Sequence, residues 1–372
     1  MDCPGSEDEE DCESYQCPGY YRCRDSHICL HPSHLCDKYN HCPQQDDQRF
    51  CHIHCPKVCT CQGFEFTCKT HFNASSFPLA RYIDASNSDM TLDMFRHNYL
   101  LIHLNLSYCR LSYLNSNSSL SNLFILDLSY NLLTEISIAS ILNIQNLRAL
   151  ILSWNPISKF LQPQNMFLDK TPFSKVIQME AKGLHINYLD FEIFDTFPEI
   201  HFLDISYGKY TEITSLSSFK KLRNIIMLGN KLEKFPPDLY RGLQQLNLIK
   251  TSIFKLCCPQ LFSDQIKPKE CLSVDDDFSS CDNLLRSESY RLFLWLFAIF
   301  SFLGNLGSLS TRFYLQGQKA WKSAFAIFVT NLSIADFCMG IYLLIIGSAD
   351  KIYEGSYVWQ DISWKHSFLC QT

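Results

Sequence analysis

The chain has 372 residues, with 32 Lys and Arg against 38 Asp and Glu for a net charge of −6, and 19 cysteines, 12 of which fall in the first 68 positions. The acid excess and the lack of a basic stripe argue against nucleic acid as a partner. That cysteine density argues against a reducing cytosol, because small domains stapled by disulfides belong to an oxidising compartment. No histidine or cysteine constellation has catalytic spacing, so an enzyme is not expected.

Met1 is followed at once by "DCPGSEDEEDC" with no signal peptide before it, so the chain reads as a fragment with its front missing. From Cys17 the cysteines run Cys17, Cys23, Cys29, Cys36, Cys42 and Cys51, and spacing alone leaves their pairing open. This stretch, 17–51, resembles an LDL-receptor class A module. The resemblance implies the pairs Cys17 with Cys29, Cys23 with Cys42, and Cys36 with Cys51. Residues 1–12, with Asp2, Asp8 and Glu9 in acidic positions, resemble the C-terminal remnant of a preceding copy. In that family the C-terminal lobe holds Ca²⁺ through carboxylates and carbonyls, as a hard cation requires. Carried onto this sequence, the side-chain positions are Asp37, His41, Asp47 and Gln48, and the carbonyl positions are His34 and Tyr39. His41 stands where the family has aspartate and Gln48 where it has glutamate. The expected cofactor is therefore Ca²⁺ in a degenerate site, set against a disulfide-held fold with no metal; no organic cofactor is expected.

Next, "CPKVCTCQGFEFTC" carries Cys55, Cys59, Cys61 and Cys68. Four cysteines could hold zinc, but an oxidising compartment favours disulfides. The spacing over 55–68 resembles the N-terminal cap of an extracellular leucine-rich-repeat domain, implying Cys55 with Cys61 and Cys59 with Cys68. From 80 to 253 the template L-x-x-L-x-L-x-x-N-x-L recurs, most clearly in "LFILDLSYNLL", "LRALILSWNPI" and "LRNIIMLGNKL", with weaker copies starting at Ala80, Leu101, Ser174, Ile200 and Leu243. Such a repeat stacks into an α/β solenoid. The fourth and sixth positions face the core, and Asn131, Asn155 and Asn230 are placed to satisfy turn backbone as a ladder in which Cys109 takes one rung as a small buried residue. Since strand side chains alternate, the third, fifth and seventh positions line the concave face. They include Asp84, Ile125, Asp127, Ile151, Glu180, Phe202, Asp204, Ile226, Leu228 and Ile249. Solenoids bind partners there, and acids beside aliphatics suit a protein ligand with basic and apolar anchors. Asp127 and Asp204 also read as ordinary repeat consensus. Sequons at Asn73, Asn105 and Asn117 mark glycosylation sites.

A hinge, 254–290, follows with Cys257, Cys258, Cys271 and Cys281, expected in disulfides of unspecified pairing around the acidic "DDDF". Two apolar spans come next, about 291–311 and about 323–349, each long enough to cross a bilayer as a helix. Their connecting loop carries Arg312, Lys319 and Lys322 and no acid, so it is expected in the cytoplasm and the N-terminal part outside. Asp336 is the only charge within the second span. A carboxylate at that depth needs a shared interior, as Asn305 in the first span does, unless Asn305 serves only helix packing.

Class A modules, a capped solenoid, a "CC" hinge, "FSSCDNLL", "LGNLGSL" and "NLSIADFCMG" occur in one order here. That order resembles the leucine-rich-repeat G-protein-coupled receptors, in the relaxin-receptor-like subgroup with several class A modules known from invertebrates. The resemblance implies that Asp336, with Asn305 beside it, holds Na⁺ in a helical bundle. It also implies that 350–370 is the first extracellular loop and that Cys370 begins the third helix, with its disulfide partner and five further helices beyond this chain. The expected fold is thus multidomain: a disulfide-rich module, an α/β solenoid, then all-α transmembrane helices in 291–372. The implied function is a multi-pass plasma-membrane receptor that binds a peptide or protein hormone on its solenoid and couples through its hinge to a heterotrimeric G protein. The alternative is a membrane-anchored adhesion or decoy protein without signalling.

Overall fold

A computed structural model describes residues 17, 20–49, 51, 54–114, 120–161, 174–262, 268–274, 279–316 and 323–371. The remnant 1–12, the sequon at Asn117, the acidic run 275–278 and the loop lysines Lys319 and Lys322 lie outside them. The chain divides into two units, 1–252 with 261–272, and 253–260 with 273–372.

In the first unit, the class A segment has almost no secondary structure: a two-residue antiparallel pair, Tyr21–Arg22 with Cys29–Leu30, and the single turns Pro32–His34 and Asp46–Gln48. Its core is Cys23, Leu30 and Cys42 with Tyr21 packed against them. So small a core cannot offset chain entropy alone, and cross-links do the rest. The disulfides are Cys17–Cys29, Cys23–Cys42 and Cys36–Cys51, then Cys55–Cys61 and Cys59–Cys68 in the cap. These are the pairs that the resemblance implies.

The cap hairpin, Cys59–Gln62 with Glu65–Cys68, opens an 11-stranded sheet among the described residues. From Glu65–Cys68 onward every pairing is parallel: Tyr82–Asp84, His103–Asn105, Ile125–Asp127, Ala149–Ile151, Gln178–Glu180, Phe202–Asp204, Asn224–Met227, Leu248–Thr251 and Glu270–Leu272. Each repeat places one buried apolar residue in register with the next. Ile83, Leu104, Leu126, Leu150, Met179, Leu203, Ile225 and Ile249 form that row, all at most 2 % exposed. Burying a side chain of this kind contributes about 1.5–3 kcal/mol.

The asparagine ladder is formed. Asn131 donates to the carbonyls of Leu106 (2.8 Å) and Leu128 (2.9 Å) and accepts from the Leu111 amide. Asn155 does the same with Leu128, Leu152 and Leu133, and Asn230 with Ile205 and Gly208. At the Cys109 rung the buried free thiol donates to the Ala85 carbonyl at 3.2 Å. These side chains satisfy turn groups that would otherwise be buried unpaired, at about 1–3 kcal/mol each.

Two repeats depart from the expected register, with different consequences. In the fifth, Met179 and not Ile177 pairs with Leu150, so the unit begins at Val176, two residues later than the template start at Ser174. A shift of two preserves side-chain facing, and Glu180 still points outward. In the eighth, Ile249 and not Leu246 pairs with Ile225, a displacement of three residues from the template start at Leu243, and an odd shift exchanges the faces. Ile249, expected on the concave face, is fully buried, and Leu248 and Lys250 are turned out instead. One strand, Glu270–Leu272, extends the sheet into what the sequence marks as hinge.

The second unit is helical. Helix α1, Glu288–Thr311, and helix α2, Ala324–Ile352, are each apolar and long enough to cross a membrane. They run antiparallel: Ser308 meets Ser333 (3.3 Å), Phe302 stacks on Phe337, and Gly347 lies under Leu294 and Trp295. Gly340 sets the closest approach, since a β-carbon there would sit 2.6 Å from the Phe302 nitrogen. Small residues at such seams let backbones approach without a hydrophobic drive. A third helix, α3, Tyr357–Lys365, follows within the expected first extracellular loop.

Candidate functional site

Three places carry functional groups: the concave face, the hinge end of the helix pair, and the cage of the class A module.

On the concave face the fifth template positions pair in the order Asp84, Asn105, Asp127, Ile151, Glu180, Asp204, Ile226 and Lys250. The acids are not equivalent. Asp84 and Asp127 each spend one oxygen capping their own turn, through the amides of Ser86 and Ser129, and leave the other toward the face. Asp204 is 4 % exposed, caps the Ser206 amide and pairs with Lys182 (3.2 Å), which also takes Glu180 (3.2 Å). Lys182 is held protonated above the usual lysine range: burial works against this, and the Asp204 and Glu180 carboxylates outweigh it. Hence Asp84 and Asp127 are the acids with capacity for a cationic partner. Ile125, Ile151, Phe202, Ile226 and Leu228 lie beside them, partly exposed. Asn105 shares this row and accepts from the Ser107 amide, whereas Asn73 is exposed away from it at the cap turn Ala74–Ser76. His103, next to Tyr82 with ring centroids 4.1 Å apart, is pushed down to about 4 by burial despite the nearby Asp84.

Along the rim of the same face runs a feature that template reading passed over. Tyr108, Tyr130, Trp154 and Tyr207 occupy the eighth template position, all with left-handed backbone (φ 55–60°), and stack in series at centroid separations of 4.4, 6.1 and 5.9 Å. Trp154 reaches Tyr207 across the fifth repeat because that repeat supplies Gly183, whose β-carbon would fall 2.6 Å from the indole. The signal was present in "SYN", "SWN" and "SYG", an aromatic before each turn residue.

At the hinge, Cys258 is bonded to Cys281, and Cys257 and Cys271 are disulfide-bonded as well. Asp361 on α3, buried, receives Lys255 from the hinge, Lys365 (3.1 Å) and the Tyr357 hydroxyl (2.8 Å). Asp350, at the end of α2, accepts from the Leu285 amide (2.8 Å) and pairs with Arg291 at the start of α1 (3.1 Å). Backbone bonds from Gly355 to Asp282 and from Val358 to Cys281 complete the junction. Ala349, Tyr357 and Trp364 pack together with Leu284 and Cys370, which carries a free thiol. None of these charged partners follows from the repeat or span patterns.

Within the helix pair, Asp336 is exposed and Asn305 half-buried. The Asn305 amide donates to the Ser301 carbonyl (2.8 Å), and the Ser301 hydroxyl donates to the Asp336 carbonyl (2.6 Å). Ser301 thus links the two residues through backbone, and among the described residues their side chains do not bond to each other.

In the class A module, Asp37, Asp47, His34 and Tyr39 converge as the resemblance implies, but on an atom of the chain itself. The Gln48 amide nitrogen lies 2.6 Å from the Tyr39 carbonyl, 3.1 Å from both Asp37 and Asp47, and 3.5 Å from the His34 carbonyl. Its orientation is determined chemically: the Lys38 amide, which can only donate, faces the Gln48 oxygen at 2.9 Å. His41 donates its backbone amide to Asp47 (2.8 Å) and sets Nε2 2.8 Å from Asp37. Asp37 is held at about 2: burial raises it, and the Tyr39 amide, His41 and His34 outweigh that. With Gln48 in this orientation and two carboxylates, the donor set does not fit Ca²⁺.

Fold and sites define a leucine-rich-repeat protein with a disulfide-bonded hinge and two apolar helices long enough for a membrane. Its homologues are leucine-rich-repeat G-protein-coupled receptors. The chain is similar to the G-protein coupled receptor GRL101 of Lymnaea stagnalis, 36 % identical over 134 residues that make up 36 % of this chain and 11 % of the relative. It is similar to the human lutropin-choriogonadotropic hormone receptor, 33 % identical over 28 % of this chain and 15 % of the relative, and to human relaxin receptor 2, 32 % over 27 % and 13 %. The match therefore spans a small part of each relative's length. No known protein-family profile matches the chain. Among solved structures, a Leptospira interrogans leucine-rich-repeat protein aligns over 50 % of this chain and 47 % of its own, with a TM-score of 0.41 and 21 % identity.

Proposed function

We propose that the chain is part of a plasma-membrane, G-protein-coupled receptor for a peptide or protein hormone, with the solenoid outside the cell and the Arg312 loop inside. The hormone docks on the concave face, placing cationic groups on Asp84 and Asp127 and apolar groups along Ile125, Ile151, Phe202, Ile226 and Leu228. The observation that carries the signalling part is the buried Asp361, clamped by Lys255 from the hinge. Moving the hinge away leaves that carboxylate with fewer partners, and an under-paired buried charge is costly. Hinge position and helix ends are thereby coupled in free energy, and a ligand that favours one hinge arrangement shifts the other end. A plain membrane anchor has no need of such a clamp. Asp336 with Asn305 forms the Na⁺ site of this reading once further helices enclose that face.

The test is made on the complete gene product displayed on cells, with peptide hormones applied and G-protein dissociation followed by energy transfer. The expected result is activation by a basic peptide hormone, with potency reduced on the order of tenfold or more by Asp127→Lys. Ligand capture without G-protein dissociation would instead establish the adhesion or decoy reading.

A further inference from the structure

The class A module sets two imidazoles against one carboxylate beside the cage that Gln48 fills. His34 Nδ1 lies 3.5 Å and His41 Nε2 2.8 Å from the same Asp37 oxygen, and the three ligand atoms all fall within 4.8 Å of one another. A tetrahedral Zn²⁺ with bonds near 2.0–2.1 Å separates its ligand atoms by about 3.3 Å, so the two measured separations bracket what is required. The carboxylate is already oriented from behind. Its other oxygen, Oδ1, accepts from the Tyr39 amide (2.9 Å) and from Gln48 (3.1 Å), the kind of outer support that fixes a metal ligand. Side chains of His34 and His41 are 47 % and 32 % exposed, which leaves an open approach and a coordination position for water.

We propose that this module binds a borderline divalent cation of the Zn²⁺ type through His34, Asp37 and His41, and has given up Ca²⁺. Two substitutions relative to the family pattern act together. Gln48 brings an N–H donor to the point where oxygens converge, which supports the cage with no ion. His41 turns a hard oxygen position into a nitrogen, which Ca²⁺ disfavours and Zn²⁺ prefers. His34, whose family role is only a backbone carbonyl, adds the second imidazole.

The experiment is calorimetric titration of the purified whole chain in detergent with Zn²⁺, and separately with Ca²⁺ to about 1 mM, the affinity range of extracellular modules. One Zn²⁺ equivalent is expected that His34→Ala and His41→Ala each weaken at least about tenfold, with no Ca²⁺ heat that Asp37→Asn removes. The reverse design, His41→Asp with Gln48→Glu, is expected to lose that Zn²⁺ equivalent and gain a Ca²⁺ one. Intact disulfides, read by mass under non-reducing conditions, show that each variant has folded. Zn²⁺ binding unaltered by both histidine variants overturns the proposal, as does wild-type Ca²⁺ binding that depends on Asp37.

Discussion

The solenoid and the helix pair bury themselves in opposite ways. In the solenoid, whole rows such as Leu104, Leu126 and Leu150 have no exposure, and asparagine side chains close its turns from within. In the helix pair, Phe297, Phe300 and Phe328 are 65 %, 72 % and 66 % exposed, and the buried contacts follow one seam that includes Ala298, Thr330, Ser333, Gly340 and Gly347. One region supplies its own interior; the other leaves most of its apolar surface uncovered. Substitutions should therefore be costly along rows in the first and only at the seam in the second.

The largest contrast is expected between Leu150→Ala and Phe300→Ala. The former opens a cavity in a closed row and should cost about 2–5 kcal/mol, whereas the latter, on an exposed face, should leave unfolding within about 0.5 kcal/mol; chemical denaturation of the purified chain in detergent measures both. Asn155→Ala should come next, at about 2–3 kcal/mol, because it takes the side-chain partner from both the Leu133 amide and the Leu152 carbonyl and leaves the Leu128 carbonyl with Asn131 as its remaining side-chain donor. Gly340→Val tests the seam. Its β-carbon meets Phe302 backbone, which cannot yield as a side chain would, so about 1–3 kcal/mol of helix association should be lost. The readout is loss of oxidative cross-linking between cysteines placed at Ser308 and Ser333.

Acid should separate two parts of the first unit. His103 sits at about 4 when folded and at 6.5 when free. Protons therefore favour the unfolded chain, and the solenoid start should lose stability as pH falls from about 6.5 to about 4. Asp37 is lowered from 3.8 to about 2, so its contribution persists above about 4 and fades only as pH falls toward 2. Fluorescence of a dye at the cap and of one on the module should show two steps, the first abolished by His103→Phe and the second by Asp37→Asn.

Much of the solenoid was legible because its pattern has a period. The buried row, the asparagine ladder and the outward facing of Asp84, Asp127 and Glu180 follow from alternation alone. Where the period slips by an odd number of residues, three at Leu248–Thr251, the same logic misplaces Ile249. The cysteine pairs of module and cap came from resemblance, since spacing left them open. The hinge clamp was not legible. Lys255, Asp350 and Asp361 are isolated charges in aperiodic sequence, and only tertiary packing shows that they are buried and paired. Gln48 was readable as a missing carboxylate, but its role as the donor filling the cage depends on which way its amide points.

Most direct for the central claim, that hinge and helix ends act as one coupled element, is hormone-stimulated G-protein activation in Lys255→Ala, Asp361→Asn and their double variant of the complete gene product. Coupling through the pair predicts unchanged hormone affinity, activation reduced about tenfold in each single variant, and a double variant no worse than either. Activation equal to wild type in all three, with expression and binding intact, would contradict it.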